Sequence, residues 1–199
     1  MLIHMPNDKG DPPVLTSKYF IGFPVAANYI HKHLEYAELG CLEPVELVDL
    51  HITIAFFGVT TEETAWQAWS RLQPIGFSRI ECTPANWQLM GPPECPNSYA
   101  LVLESVLNRL HDAISAWRRN TQMFIHKGEY DFPLVPHLTM YRHKKKSTGG
   151  FDHITTLRKL SLISFPLLRG FNVEEVALYR SSNGLHGRRY DIIERRSIS

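Results

Sequence analysis

Leu50-His51-Ile52-Thr53-Ile54-Ala55-Phe56-Phe57-Gly58 is echoed later in the chain by Val135-Pro136-His137-Leu138-Thr139-Met140-Tyr141-Arg142-His143. Each run reads as a buried strand. Strand side chains alternate between faces with period two. That rule puts His51, Thr53, Ala55 and Phe57 on one face, opposite Ile52, Ile54 and Phe56. It likewise groups His137, Thr139, Tyr141 and His143 opposite Leu138 and Met140. The chain therefore twice presents an imidazole beside a hydroxyl on a strand backed by apolar residues. Two histidines facing one substrate supply a base and an acid together, and two threonines can hold the group between them.

A third copy of the tripeptide, His153-Ile154-Thr155, sits where Ile154, Leu157 and Leu160 recur at helical spacing. Positions i and i+2 do not share a helix face, so this copy is expected to be a decoy.

Composition narrows the class. The 199 residues suit one domain or two tightly joined lobes. A net charge of +1 provides no global field for polyanions, so nucleic-acid binding would rest on local basic clusters. The three cysteines, Cys41, Cys82 and Cys95, are odd in number and form no C-x-x-C, which argues against a disulfide framework and for a reducing compartment. No apolar run approaches the ~20 residues of a membrane span, and no signal-peptide pattern opens the chain. A cytoplasmic protein with no membrane association is expected, and a monomer.

Along the chain, residues 1–17 read as a flexible leader and residues 18–199 as a single bilobal domain. Tyr19 to Val25 is strand-like, and a helix is expected from about Pro24 to Leu39. Thr60-Thr61-Glu62-Glu63 offers a capping box for a helix with Ala65, Trp66, Trp69 and Leu72 on its apolar face. Residues 77–91 read as extended structure, and Tyr99 to Leu103 as a strand. Ser105 is expected to cap a helix carrying Leu107, Leu110, Ile114 and Trp117. After the second motif come a basic loop from Arg142 to Gly150 and a short helix around His153. Strands are then expected near Leu160 to Leu168, Val173 to Tyr179 and Arg189 to Ile193. Both halves thus read strand, helix, motif strand, helix, strands. The fold class expected is α+β: two similar lobes, each an antiparallel sheet with helices on its outer face, with the histidines meeting in the cleft between them.

From Lys18 to the C-terminus the chain resembles the 2H phosphoesterase superfamily, named for two H-x-[ST] motifs, and within it the RNA 2',3'-cyclic phosphodiesterases historically called 2'-5' RNA ligases. Val48 to Gly58 is close to the family's first motif, and Pro136 to Arg142 matches its second. Tyr19 to Pro24 looks like its opening strand; Phe171 to Val173 and Val176 to Ser182 look like its closing ones. The resemblance implies metal-independent hydrolysis of the cyclic phosphodiester ends of RNA or small nucleotides to 2'-phosphates, with no cofactor. It implies His51 as acid, His137 as base, and Thr53 and Thr139 as phosphate-binding residues. Phe57, Tyr141 and Arg142 are candidate substrate contacts, although Arg142 alternates away from the histidine face.

Other classes remain open on the residues alone. A metal hydrolase needs a ligand pattern such as H-E-x-x-H, and none is present. A non-catalytic nucleotide-binding module, or a hydrolase of cyclic or 2'-5' linked oligonucleotide signals, would keep the same fold. No P-loop supports ATP-dependent ligation.

Overall fold

The β-branched residues Val59, Thr60 and Thr61 follow Gly58, so the first motif's strand is long. In the computed structural model, β3 runs His51–Thr61 and the second motif strand, β6, runs His137–His143. The structure describes residues 16–26, 42–91, 96–126, 134–143, 152–164, 170–182 and 189–199. Among these the other strands are β1 Thr16–Pro24, β2 Leu42–Pro44, β4 Ile80–Met90, β5 Ser98–Ser105, β7 Phe171–Val173, β8 Glu175–Ser181 and β9 Tyr190–Ser197. They form an antiparallel sheet in the order β7-β4-β5-β6-β3-β1-β8-β9, with β2 also pairing β6. The α+β class expected from the sequence is what the chain adopts.

The two motif strands join the two halves of this sheet, and the seam between them is narrow. Ile52 and Leu138 are its one registered pair among the described residues. Reading across the sheet at that level, Trp87, Leu101, Leu138, Ile52 and Phe23 are register partners in succession. All five are buried, the last four almost completely. Burying a side chain of this size contributes about 1.5–3 kcal/mol, so this row anchors the seam. Its neighbours in sequence must then point to the other face, which fixes where His51 and His137 look.

Helices cover the apolar face. Helix α1, Glu62–Ser70, opens as expected, with the Thr61 hydroxyl accepting from Thr64 N at 3.2 Å. It buries Ala65, Ala68 and Trp69, and Leu72 just beyond it, whereas Trp66 lies at the surface because Ala68 takes the inward position. Helix α2, Arg109–Thr121, buries Leu110, Ile114 and Trp117. Ser105 Oγ accepts from Leu110 N at 2.8 Å, yet Leu107 is exposed on a turn with positive φ that precedes the helix. Helix α3, His153–Ser164, takes up the start of the expected 160–168 strand, which corrects that reading; Leu160 is the helix's buried residue there. The remainder of that strand, the 24–39 helix beyond Ala26 and residues 1–15 of the leader lie outside the described residues; Thr16 and Ser17 already belong to β1. No described helix is long and apolar enough to cross a membrane.

Candidate active site

His51 and His137 sit at the start of β3 and β6, each one residue before the seam pair. In an antiparallel pair their strands run oppositely, so His51 falls opposite Thr139 and His137 opposite Thr53. The two histidines are then diagonal neighbours, positions roughly 7–8 Å apart in such sheets. All four side chains are half-buried, between the fully buried Ile52 and Leu138. Four residues singled out by sequence are thus gathered in one patch on the face away from the core.

Both rings are pinned in the same way. His51 Nδ1 donates to the Asp49 carbonyl at 2.6 Å, and His137 Nδ1 donates to the Val135 carbonyl at 2.8 Å. A carbonyl only accepts, so Nδ1 carries the hydrogen in both rings. Nε2 is therefore the atom that gains or loses a proton at each histidine.

Simple alternation fails four residues into each motif, and it fails identically. Against β1, Ala55 pairs with Ile21 and Thr53 with Gly22, leaving Ile54 as an extra residue. Against β5, Tyr141 pairs with Tyr99 and Thr139 with Ala100, leaving Met140 extra. These are β-bulges, which re-aim every later side chain. Ala55 and Tyr141 turn into the core beside Ile54 and Met140, and all four are buried. A second bulge at Phe57 keeps that ring in the main core as well. Phe57 and Tyr141 are therefore packed in the core rather than on the face of the histidines, where alternation placed them, and burial pushes the Tyr141 phenol up to about 12. The same bulge reverses the reading of Arg142. It rotates to the histidine face, where its Nη2 donates to the Tyr190 hydroxyl at 3.4 Å. Its Nε is buried with no hydrogen-bond partner among the described residues.

His51 stands among rings that the sequence did not flag. Phe20, Tyr179 and Tyr190 lie with centroids 4.6, 5.3 and 5.3 Å from it, and Phe20 stacks on Tyr179 at 4.5 Å. Phe56 packs against the same group. This environment removes water from the imidazole, and with the nearby Arg142 and His137 charges it lowers the pKa from 6.5 to about 4, against the opposing pull of the Asp49 hydrogen bond. Gly22 makes room for the neighbouring backbone: a Cβ there would lie 2.9 Å from the Ile52 carbonyl oxygen, whereas His51 Cδ2, at 3.6 Å, would be in ordinary contact.

Asp49 ties this wall together. Its carboxylate is buried and accepts from Arg189 N at 2.9 Å and Tyr190 N at 3.3 Å, fixing the start of β9 beside His51. The sequence held one signal for it. An acidic residue between Val48 and Leu50 must find partners if the run is buried. Tyr190 and Phe20 carried no such signal, because their place depends on strand pairing.

The third tripeptide lies elsewhere. His153 opens helix α3, and its Nδ1 is 2.8 Å from the Tyr99 hydroxyl, with His143 5.5 Å away between ring centroids. Tyr99 belongs to the buried core, so this group is on the face opposite His51 and His137. No group of three or more potential metal ligands occurs among the described residues. Residues 144–150 of the basic loop lie outside them.

No family model matches the sequence, and no curated protein does. Solved structures do match. The chain is similar to TT0787 of Thermus thermophilus, at 18% identity and a TM-score of 0.64, over 91% of this chain and 97% of that one. It is also similar to E. coli LigT crystallised with 3'-AMP, at 18% identity and a TM-score of 0.62, over 92% and 98%. LigT crystallised with phosphate aligns at 17% identity and a TM-score of 0.61, over 92% and 97%. At these identities the likeness is one of fold, and the chain adopts the LigT-like fold over nearly its whole length.

Proposed function

We propose that this chain hydrolyses 2',3'-cyclic phosphodiester ends of RNA or nucleotides, without a metal, by acid and base catalysis from His51 and His137. The observation that supports it most is the pair of rings, each locked by an Nδ1–H to carbonyl bond so that Nε2 does the proton transfer, each flanked by a threonine on the same face. The fold shared with LigT, a protein crystallised with phosphate and with 3'-AMP, is consistent with a phosphorylated nucleotide at this position. The two halves of the sheet act as two lobes of one domain, in a cytoplasmic monomer.

In this reading the phosphoryl group lies between the rings. One Nε2 takes a proton from water as its oxygen bonds to phosphorus. The other Nε2 gives a proton to O3' as the P–O3' bond breaks, leaving a 2'-phosphate. Thr53, Thr139 and Arg142 donate to the phosphoryl oxygens, where negative charge develops. Positioned acid and base groups contribute typically ~10²–10⁴-fold.

Burial makes His51 neutral near pH 7 before substrate binds, the state of a base. The acid role implied by the resemblance requires the phosphate anion to raise it, since an adjacent negative charge favours the imidazolium. The test is incubation with a nucleoside 2',3'-cyclic phosphate and a chelator, followed by phosphorus NMR. A 2'-phosphate forms at an undiminished rate. A 3'-phosphate product would overturn the leaving-group assignment, and loss of activity restored by zinc would overturn the mechanism.

A further inference from the structure

The two flanks of the histidine patch differ. On the His51 side, β1, β8 and β9 bring Phe20, Tyr179 and Tyr190 against the ring. On the His137 side, the register runs His137–Val102–Asn86 and Thr139–Ala100–Gln88 across β6, β5 and β4. Register partners share a face. The intervening row, Leu138–Leu101–Trp87, is buried in the core, so Asn86 and Gln88 lie on the face of the histidines. Both carboxamides are exposed and neither is engaged by another described residue. Between them and the motif residues lie the small side chains of Val102, half-buried, and Ala100, fully buried.

We infer that Asn86 and Gln88 form a second subsite, which takes the nucleotide next to the one whose phosphate sits between His51 and His137. The inference rests on that placement of the phosphate. Two strand spacings put the amides roughly 10 Å from the motif strand, a span that one further nucleotide covers. Each carboxamide offers both donors and an acceptor, which matches the mixed edge of an unstacked base. Neither carries charge, so neither repels a polyanionic strand. The amide flank reads the neighbouring base by hydrogen bonds, whereas Phe20 and Tyr179 on the other flank are buried and pack against His51. The substrate class is then an oligonucleotide with a phosphate end rather than a mononucleotide.

The test is calorimetric binding of adenosine 3'-monophosphate and of the adenosine dinucleotide ending in the same 3'-phosphate. One or two hydrogen bonds at about 1 kcal/mol each correspond to roughly 5–30-fold. The dinucleotide should bind wild type tighter by a factor in that range. The double variant Asn86→Ala/Gln88→Ala should lose this gain and keep its monophosphate affinity within about twofold, since both positions are at the surface. Equal affinities in wild type, or a gain that persists in the double variant, overturn the subsite. Binding needs no turnover, so a protein that shows this pattern but hydrolyses nothing contradicts the proposed reaction alone. Failure of both ligands to bind overturns both.

Discussion

Replacing Asp49 by alanine removes one carboxylate and strands two backbone donors. Arg189 N and Tyr190 N lose acceptors at 2.9 and 3.3 Å, in a place where Asp49 is only 1% exposed and little water can substitute. A hydrogen bond to a charged acceptor contributes about 1.5–3 kcal/mol net. With the longer contact near the low end, the pair amounts to about 3–4 kcal/mol. For a chain of this length each kcal/mol lowers Tm by roughly 2–4 °C, so Asp49→Ala should melt roughly 6–16 °C below wild type. Asp49→Asn keeps one acceptor but sets an NH2 against the other N–H, and should fall between. The loss is localised, because the start of β9 is what the carboxylate holds. Hydrogen exchange at Arg189 and Tyr190 should therefore accelerate more than exchange at Leu101 or Leu138 in the seam row. An Asp49→Ala protein melting within about 2 °C of wild type, with unchanged exchange at those two amides, would refute the account of the wall around His51.

Four further outcomes follow from the same geometry. The His51 ring, followed by NMR, should titrate near 4 in the free protein and move upward when inorganic phosphate is added; a value unmoved by phosphate contradicts its acid role. Because its folded pKa lies below the unfolded value of ~6.5, the folded state binds fewer protons, so His51 costs stability as pH falls from about 6.5 towards 4, by up to about 3 kcal/mol, and His51→Gln should flatten that part of a pH–stability curve. Arg142→Ala should lower kcat/KM by roughly 10–100-fold, the worth of a charge-assisted phosphate contact, whereas an unchanged kcat/KM would show that its guanidinium serves only Tyr190. Phe57→Leu should lower Tm and leave KM within about twofold, which steady-state kinetics beside a melt would check, since that ring fills the core rather than the site.

Period-two alternation was enough to find His51, Thr53, His137 and Thr139, because each motif stays regular for its first three residues. It misled at Phe57, Tyr141 and Arg142 because a bulge is a property of two strands. Nothing in Ile54 or Met140 alone says that β1 or β5 will skip it. The aromatic group around His51 was hidden for the same reason: Phe20 comes from β1, and Tyr179 and Tyr190 from β8 and β9 near the other end of the chain. Leu160 to Leu168 read as a strand because a short apolar run carries no decisive period, and the helix that reaches Ser164 settles its first half. His153 was separable from the true motifs because helical spacing around it was visible in Ile154, Leu157 and Leu160.

The central claim is that two histidines of three with the same tripeptide do the chemistry. The direct measurement is turnover of a nucleoside 2',3'-cyclic phosphate, in the presence of chelator, by His51→Ala, His137→Ala and His153→Ala, each checked for folding by its melt. The account predicts losses of ~10²–10⁴-fold for the first two and near-wild-type turnover for the third. Equal losses in all three, or wild-type activity in either of the first two, would contradict it.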